Sequence, residues 1–253
     1  MAVTKKKLLL AANWKMNPDS LDEAKALFSG IAKIAKAHPK VQIIVAPPYP
    51  FIAPLAAKKT LSVSAQDVSV DERGAHTGAV SALEIASTGA KYSIIGHSER
   101  RAAGDTDAIV STKVRRAADA GLSIILCVGE KERDDQAQYL SFIREQLFAV
   151  YGSIDKKSAR SIVIAYEPVW QIGGSFKLKI QPRDIHEMAI FIKKTIAEFI
   201  GKEIGMKTPV LYGGSTHPDN VGPILRDGGV DGLLVGRSSL DAETFGKIVT
   251  AAV

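Results

Sequence analysis

Four stretches of this 253-residue chain bring chemically able side chains to the end of a short apolar run. Ser161-Ile162-Val163-Ile164-Ala165 leads into Tyr166-Glu167-Pro168-Val169-Trp170-Gln171-Ile172-Gly173-Gly174. A carboxylate at such a strand end is partly desolvated and gains basicity, as a general base requires. Tyr92-Ser93-Ile94-Ile95-Gly96 leads into His97, followed by polar residues able to start a helical turn. The positive end of a helix favours a neutral imidazole, which can donate a hydrogen bond to a carbonyl and then shuttle a proton. Leu8-Leu9-Leu10-Ala11-Ala12 leads into Asn13 and Lys15, and Val210-Leu211 into Tyr212-Gly213-Gly214-Ser215. A base, an imidazole, a cation and a glycine-rich turn at one end of a sheet suit a phosphorylated carbonyl compound.

These residues need a scaffold that aligns strand ends. Eight apolar runs, at residues 7–12, 41–46, 61–65, 92–95, 123–128, 161–165, 210–212 and 231–235, read as strands. They are aliphatic and barely alternate, the pattern of strands buried on both faces of a parallel sheet. Apolar spacing of three and four residues predicts helices at 20–37, 105–120, 131–151 and 182–200, and shorter ones at 49–58, 81–88, 217–226 and 241–252. Pro182 suits a first helical turn, and Ser81 with Glu84 forms a capping-box pattern. The alternation predicts a single α/β domain over residues 1–253, a (β/α)8 barrel of eight parallel strands with outer helices. A doubly wound dinucleotide fold is disfavoured, because the first strand is followed by Asn13-Trp14-Lys15-Met16-Asn17, without a glycine. Gly236-Arg237-Ser238 follows the eighth run, where barrels commonly hold phosphate on backbone N–H groups.

Composition narrows the partners. Hydrophobic residues at 46% and charged residues at 24% fit a packed globular chain. No apolar run approaches the ~18 residues of a membrane span, and the basic N-terminus lacks a secretory cleavage pattern. The net charge of +6 is scattered rather than clustered or interleaved with aromatics. It suits a small anionic substrate better than nucleic acid. The single cysteine, Cys127, reads as a buried strand residue and cannot form an internal disulfide, so the cytoplasm is expected. His38, His76, His186 and His217 show no zinc-ligand spacing and read as surface residues.

Six motifs in order carry a closer likeness: Ala12-Asn13-Trp14-Lys15-Met16-Asn17, Ile95-Gly96-His97-Ser98-Glu99-Arg100-Arg101, Cys127-Val128-Gly129-Glu130, Ala165-Tyr166-Glu167-Pro168-Val169-Trp170, Tyr212-Gly213-Gly214-Ser215 and Leu234-Val235-Gly236. Together they resemble the triosephosphate isomerase family from end to end. The resemblance implies interconversion of dihydroxyacetone phosphate and glyceraldehyde 3-phosphate through an enediol(ate), as in glycolysis and gluconeogenesis. Glu167 would be the base, His97 the neutral electrophile and Lys15 the cation, with Asn13 beside it. Ser98 would hold the base when the site is open, and Glu99 would partner Lys15. Backbone groups of Gly173, Ser215, Gly236 and Arg237 would bind phosphate. No metal or organic cofactor is implied, and a homodimer is. Two other readings stand beside it, another phosphate-binding barrel sugar isomerase and a non-catalytic barrel scaffold. The first would place its acid–base residues on other strands, and the second would lack Lys15, His97 or Glu167.

The chain also departs from the family pattern. The lid after Trp170 differs in its second half, residues 174–180, and Gln171 stands where alanine is usual. Arg237 replaces a glycine of the phosphate loop. Ala79 stands where a glutamate usually pairs with the counterpart of Arg100 across the dimer, so that ion pair is expected to be missing. Asp105 stands where glutamate is usual.

Overall fold

The computed structural model describes residues 7–171 and 180–253. Eight parallel strands close into a barrel in the order β1 to β8: β1 (Leu8–Asn13), β2 (Val41–Ala46), β3 (Ser62–Ala65), β4 (Tyr92–Ile95), β5 (Ser123–Val128), β6 (Ile162–Tyr166), β7 (Val210–Tyr212) and β8 (Gly232–Val235). β1 closes the barrel on β8 through the pairs Leu9–Gly232 to Ala12–Val235. This is the expected (β/α)8 architecture, with strand limits within one residue of those read from the apolar runs.

Burial on both faces explains why the runs barely alternate. One set of side chains, including Leu9, Ala11, Ile44, Ile94, Ile125, Cys127, Ala165 and Leu211, fills the barrel interior. The alternate set, including Leu10, Ala12, Val45, Ile95, Leu126, Ile164 and Tyr212, packs under the helices. Gly232 is required by the closure itself, since a Cβ there would lie 1.8 Å from the Leu9 carbonyl oxygen.

The helices follow local rules. Ser20 caps helix Leu21–Ala37 by accepting from Glu23 N–H, and that helix buries Ala24, Phe28 and Ile31. Ser81 and Glu84 form the expected capping box at helix Ala82–Ser87. Pro182 opens helix Pro182–Ile200, which buries Ile185, Met188, Ala189, Ile192 and Ile196. The expected helix at 131–151 begins only at Gln138. Asp134 causes the delay: its carboxylate takes the backbone N–H groups of Gln136, Gln138 and Tyr139. Ala137 meanwhile sits in the left-handed region at φ 57°. Among the described residues no helix is long and apolar enough to cross a membrane.

Candidate active site

All eight strands run parallel, so their C-terminal ends share one rim. Asn13 ends β1, His97 lies two residues beyond β4, Glu167 one beyond β6, and Gly213 one beyond β7. The fold thereby gathers side chains that are up to about two hundred residues apart in sequence.

Glu167 is only 2% exposed. Its Oε2 accepts the backbone N–H of Ser98 at 2.9 Å. Its Oε1 lies 3.3 Å from His97 Nε2 and accepts no hydrogen bond from the described residues. Two glycines make room for it. A Cβ on Gly129 would stand 1.7 Å from the Glu167 carbonyl oxygen, and one on Gly213 would stand 2.9 Å from Glu167 Cγ. The backbone N–H of Glu167 is tied to Val128 O at 2.8 Å. The carboxylate is thus held by the Ser98 N–H, and its backbone by Val128.

His97 is the N-cap of the short helix Ser98–Ala102. Its Nδ1 accepts the N–H of Glu99 at 3.2 Å. Nδ1 must therefore carry a lone pair, which leaves the ring proton on Nε2.

Lys15 adopts φ 53°, a conformation that costs a side-chain-bearing residue on the order of 1–3 kcal/mol. Three contacts hold it there. Asn13 Oδ1 accepts its N–H at 3.1 Å, Gln66 Nε2 donates to its carbonyl at 2.7 Å, and its Nζ meets Glu99 Oε1 at 2.5 Å. The last pair is half-exposed, where ion pairs contribute little stability. Its effect is to aim the ammonium group. Gly236 lies alongside, since a Cβ there would sit 3.7 Å from Lys15 Cε.

The loops after β7 and β8 are joined by Ser238 Oγ donating to Thr216 O at 2.8 Å. Ser215 is exposed, with Oγ 3.1 Å from His217 Nε2. Arg237 is exposed and is not among the side-chain-bearing residues with positive φ. Its backbone does not require the glycine it replaces. Gly173 and most of the altered lid lie outside the described residues. The start of that segment is anchored. Val169 N donates to Glu130 O at 3.0 Å, and Trp170 Nε1 donates to Glu130 Oε1 at 2.9 Å. Tyr166 hydroxyl and Arg133 Nε also donate to Oε1, at 2.8 and 3.1 Å. Burial, and next the Glu130 carboxylate, push the Tyr166 hydroxyl well above its ordinary range. Burial, and next Glu167, do the same to the Cys127 thiol, which therefore stays protonated as a packing residue.

Sequence reasoning missed Gln66, Trp170's link to Glu130, and an ion cluster formed by Asp67, Arg100, Asp105 and Lys113. Glu130 stood in a recognised motif. Gln66 and Asp67 carried only their polarity directly after a strand.

A closed parallel barrel with a buried carboxylate, an N-capping imidazole and an aimed lysine on its C-terminal rim offers a site suited to proton transfer. Comparison with known proteins sharpens the class. The chain belongs to the triosephosphate isomerase family, whose sequence pattern matches residues 8–252. It is 40% identical over 252 residues to the triosephosphate isomerase of Flavobacterium johnsoniae, covering 97% of this chain and 99% of that one. It is 38% identical over 248 residues to that of Coprinopsis cinerea, covering 96% of each. It is 37% identical over 248 residues to that of Thermus thermophilus, covering 95% of this chain and 96% of that one.

Proposed function

We propose that Glu167, His97 and Lys15 carry the isomerisation that defines the family, the interconversion of dihydroxyacetone phosphate and D-glyceraldehyde 3-phosphate. Glu167 removes a proton from the carbon next to the carbonyl and returns it to the neighbouring carbon. His97 Nε2–H polarises the carbonyl and passes protons between the two oxygens of the enediol(ate). Lys15, steadied by Asn13 and Glu99, offsets the charge of the phosphate and of the developing oxyanion. Backbone N–H groups of Ser215, Gly236 and Arg237, with Gly173, hold the phosphate. A C–H beside a carbonyl is already acidified, so these side chains suffice for the proton transfers. The observation that carries the reading is the approach of Glu167 Oε1 to within 3.3 Å of the imidazole nitrogen that bears the proton. A base and an acid this close on separate strands suit a reaction that moves protons over adjacent atoms. An assay coupled to reduction of dihydroxyacetone phosphate tests it directly. Turnover of glyceraldehyde 3-phosphate that is lost in Glu167→Gln supports the assignment, and a variant as fast as the parent refutes it.

The same reading extends to assembly and place. Residues 1–253 act as one catalytic domain in the cytoplasm, and two copies form a homodimer. A groove of about 570 Å³ runs from Lys15 and His97 past Tyr49, Asp67 and Ala79. The exposed loop at residues 71–79, tipped by Thr77, is pinned at its base by Ser69 N–H donating to Val80 O at 2.8 Å. Its tip suits the groove of a second copy.

A further inference from the structure

Lys113 projects from helix Asp107–Asp119 and is 4% exposed, which makes it a cation inside the protein. Its Nζ lies 2.7 Å from Asp67 Oδ2 and 2.6 Å from Asp105 Oδ2. Arg100 approaches the same two acids, with Nε 3.0 Å from Asp67 Oδ2 and a terminal nitrogen 3.8 Å from Asp105 Oδ1. Two cations and two anions close a neutral set drawn from the segment after β3, the helix Ser98–Ala102, the turn that follows it, and helix Asp107–Asp119. A buried cation stripped of its counter-charge is strongly destabilising.

The set grips the segment that carries the imidazole. Arg100 N–H donates to His97 O at 2.8 Å, and Asp105 N–H donates to Arg100 O at 3.1 Å. His97 caps this turn, Ser98 in it holds Glu167, and Glu99 in it aims Lys15. We propose that Asp67 is a positioning residue: with Asp105 it neutralises Lys113 and Arg100 inside one chain, and so fixes the 97–105 turn on which His97, Ser98 and Glu99 are set. The role rests on the isomerase reading above. It assigns the charge on Arg100 to this chain's own acid, with no counter-charge required from a second copy.

The test compares the parent with Asp67→Asn, Arg100→Gln and the double variant, by turnover, thermal melting and the nitrogen NMR resonances of the His97 ring. Asp67→Asn leaves two cations facing one carboxylate. Its kcat falls on the order of tenfold with KM little changed, its melting point drops, and the His97 resonances shift. The double variant restores neutrality, so its melting point recovers, but its kcat and His97 resonances do not, because Arg100 no longer ties the turn to the segment after β3. Parent-like kcat and resonances in Asp67→Asn overturn the proposal. So does a kcat that returns with the melting point, which reduces Asp67 to a stabilising residue. If Asp67→Asn fails to fold, the half-exposed Arg100→Gln decides alone: a lowered kcat and shifted ring resonances support the role, and parent values refute it. An inactive parent would sink the isomerase reading, while the His97 resonances would still judge this one.

Discussion

In the proposed role, Glu167 works at a distance set by one methylene. Glu167→Asp retracts the carboxylate by roughly 1 Å, and misplacement on that scale costs on the order of a hundredfold in rate. Coupled assays should show kcat falling by about that factor, with the melting point nearly unchanged because the strand end is held by backbone bonds. Lys15→Met keeps the volume and removes the cation. Activity should fall on the order of 10²–10³-fold, and calorimetry should show weaker binding of a phosphoglycolate-type inhibitor. Normal inhibitor binding would take the charge out of the site. The places of these residues were legible in the sequence because each sits within three residues of the end of an apolar run. Gln66, which donates to the carbonyls of both Lys15 and Ala46, was not legible. Its partner is 51 residues away, and only the closed barrel brings the two together. Arg100's nearest acceptor, Asp67, was hidden for the same reason: it lies 33 residues away, on the segment after β3.

At the scale of elements, strand ends are spaced by what fits between them. Gly129→Ala would drive a Cβ to 1.7 Å from the Glu167 carbonyl oxygen, so β6 must shift away from β5. We expect a loss of about 3 kcal/mol in denaturant unfolding, with turnover falling further than stability. Gly222→Ala is the control. It sits in helix Pro218–Asp227 with its nearest neighbour 3.8 Å from the new Cβ, and should gain about 0.5–1 kcal/mol. Helix caps give the molecule an acid sensitivity. Backbone and side-chain bonds from Ser81 hold the Glu84 carboxyl below its ordinary 4.5, and those from Thr244 hold Asp241 below its ordinary 3.8. A carboxyl lowered in the folded state stabilises above its unfolded value, and that stability is lost as pH falls through the folded one. The gap in unfolding midpoint between the parent and Asp241→Asn should therefore be present near neutrality and close in acid. A gap that widens in acid would reverse the sign. The strands were readable because burial on both faces leaves continuous apolar runs. The delayed helix start at Gln138 was not, because Asp134 diverts three backbone N–H groups that a periodicity argument assigns to the helix. The helices Lys156–Ala159 and Lys202–Lys207 are too short to show a period.

For the whole molecule, three of the eight large apolar residues exposed among those described follow neighbouring strands. Met16 follows β1, Tyr49 begins the helix after β2, and Leu83 lies just beyond the loop after β3; they are 91%, 40% and 52% exposed. Those strands are neighbours in the barrel, so the three side chains belong to one sector of the rim, the sector that holds the groove and the 71–79 loop. A second copy facing this sector would cover them, and a stable association of this kind buries about 1,200–2,000 Å². Ala79 offers no charge to such a partner, and Arg100 needs none, being matched by Asp67 and Asp105 within its own chain. Association should therefore rest on apolar burial, which salt does not screen, rather than on an ion pair between copies, which it does. Sedimentation across a dilution series should find a dimer at micromolar concentrations, with a midpoint that moves little when salt is raised. A midpoint that climbs steeply with salt would mean that charges between copies hold it. A chain that stays monomeric at micromolar concentrations and is nevertheless fully active would sink the dimer, and with it any need for a partner's loop beside Lys15 and His97.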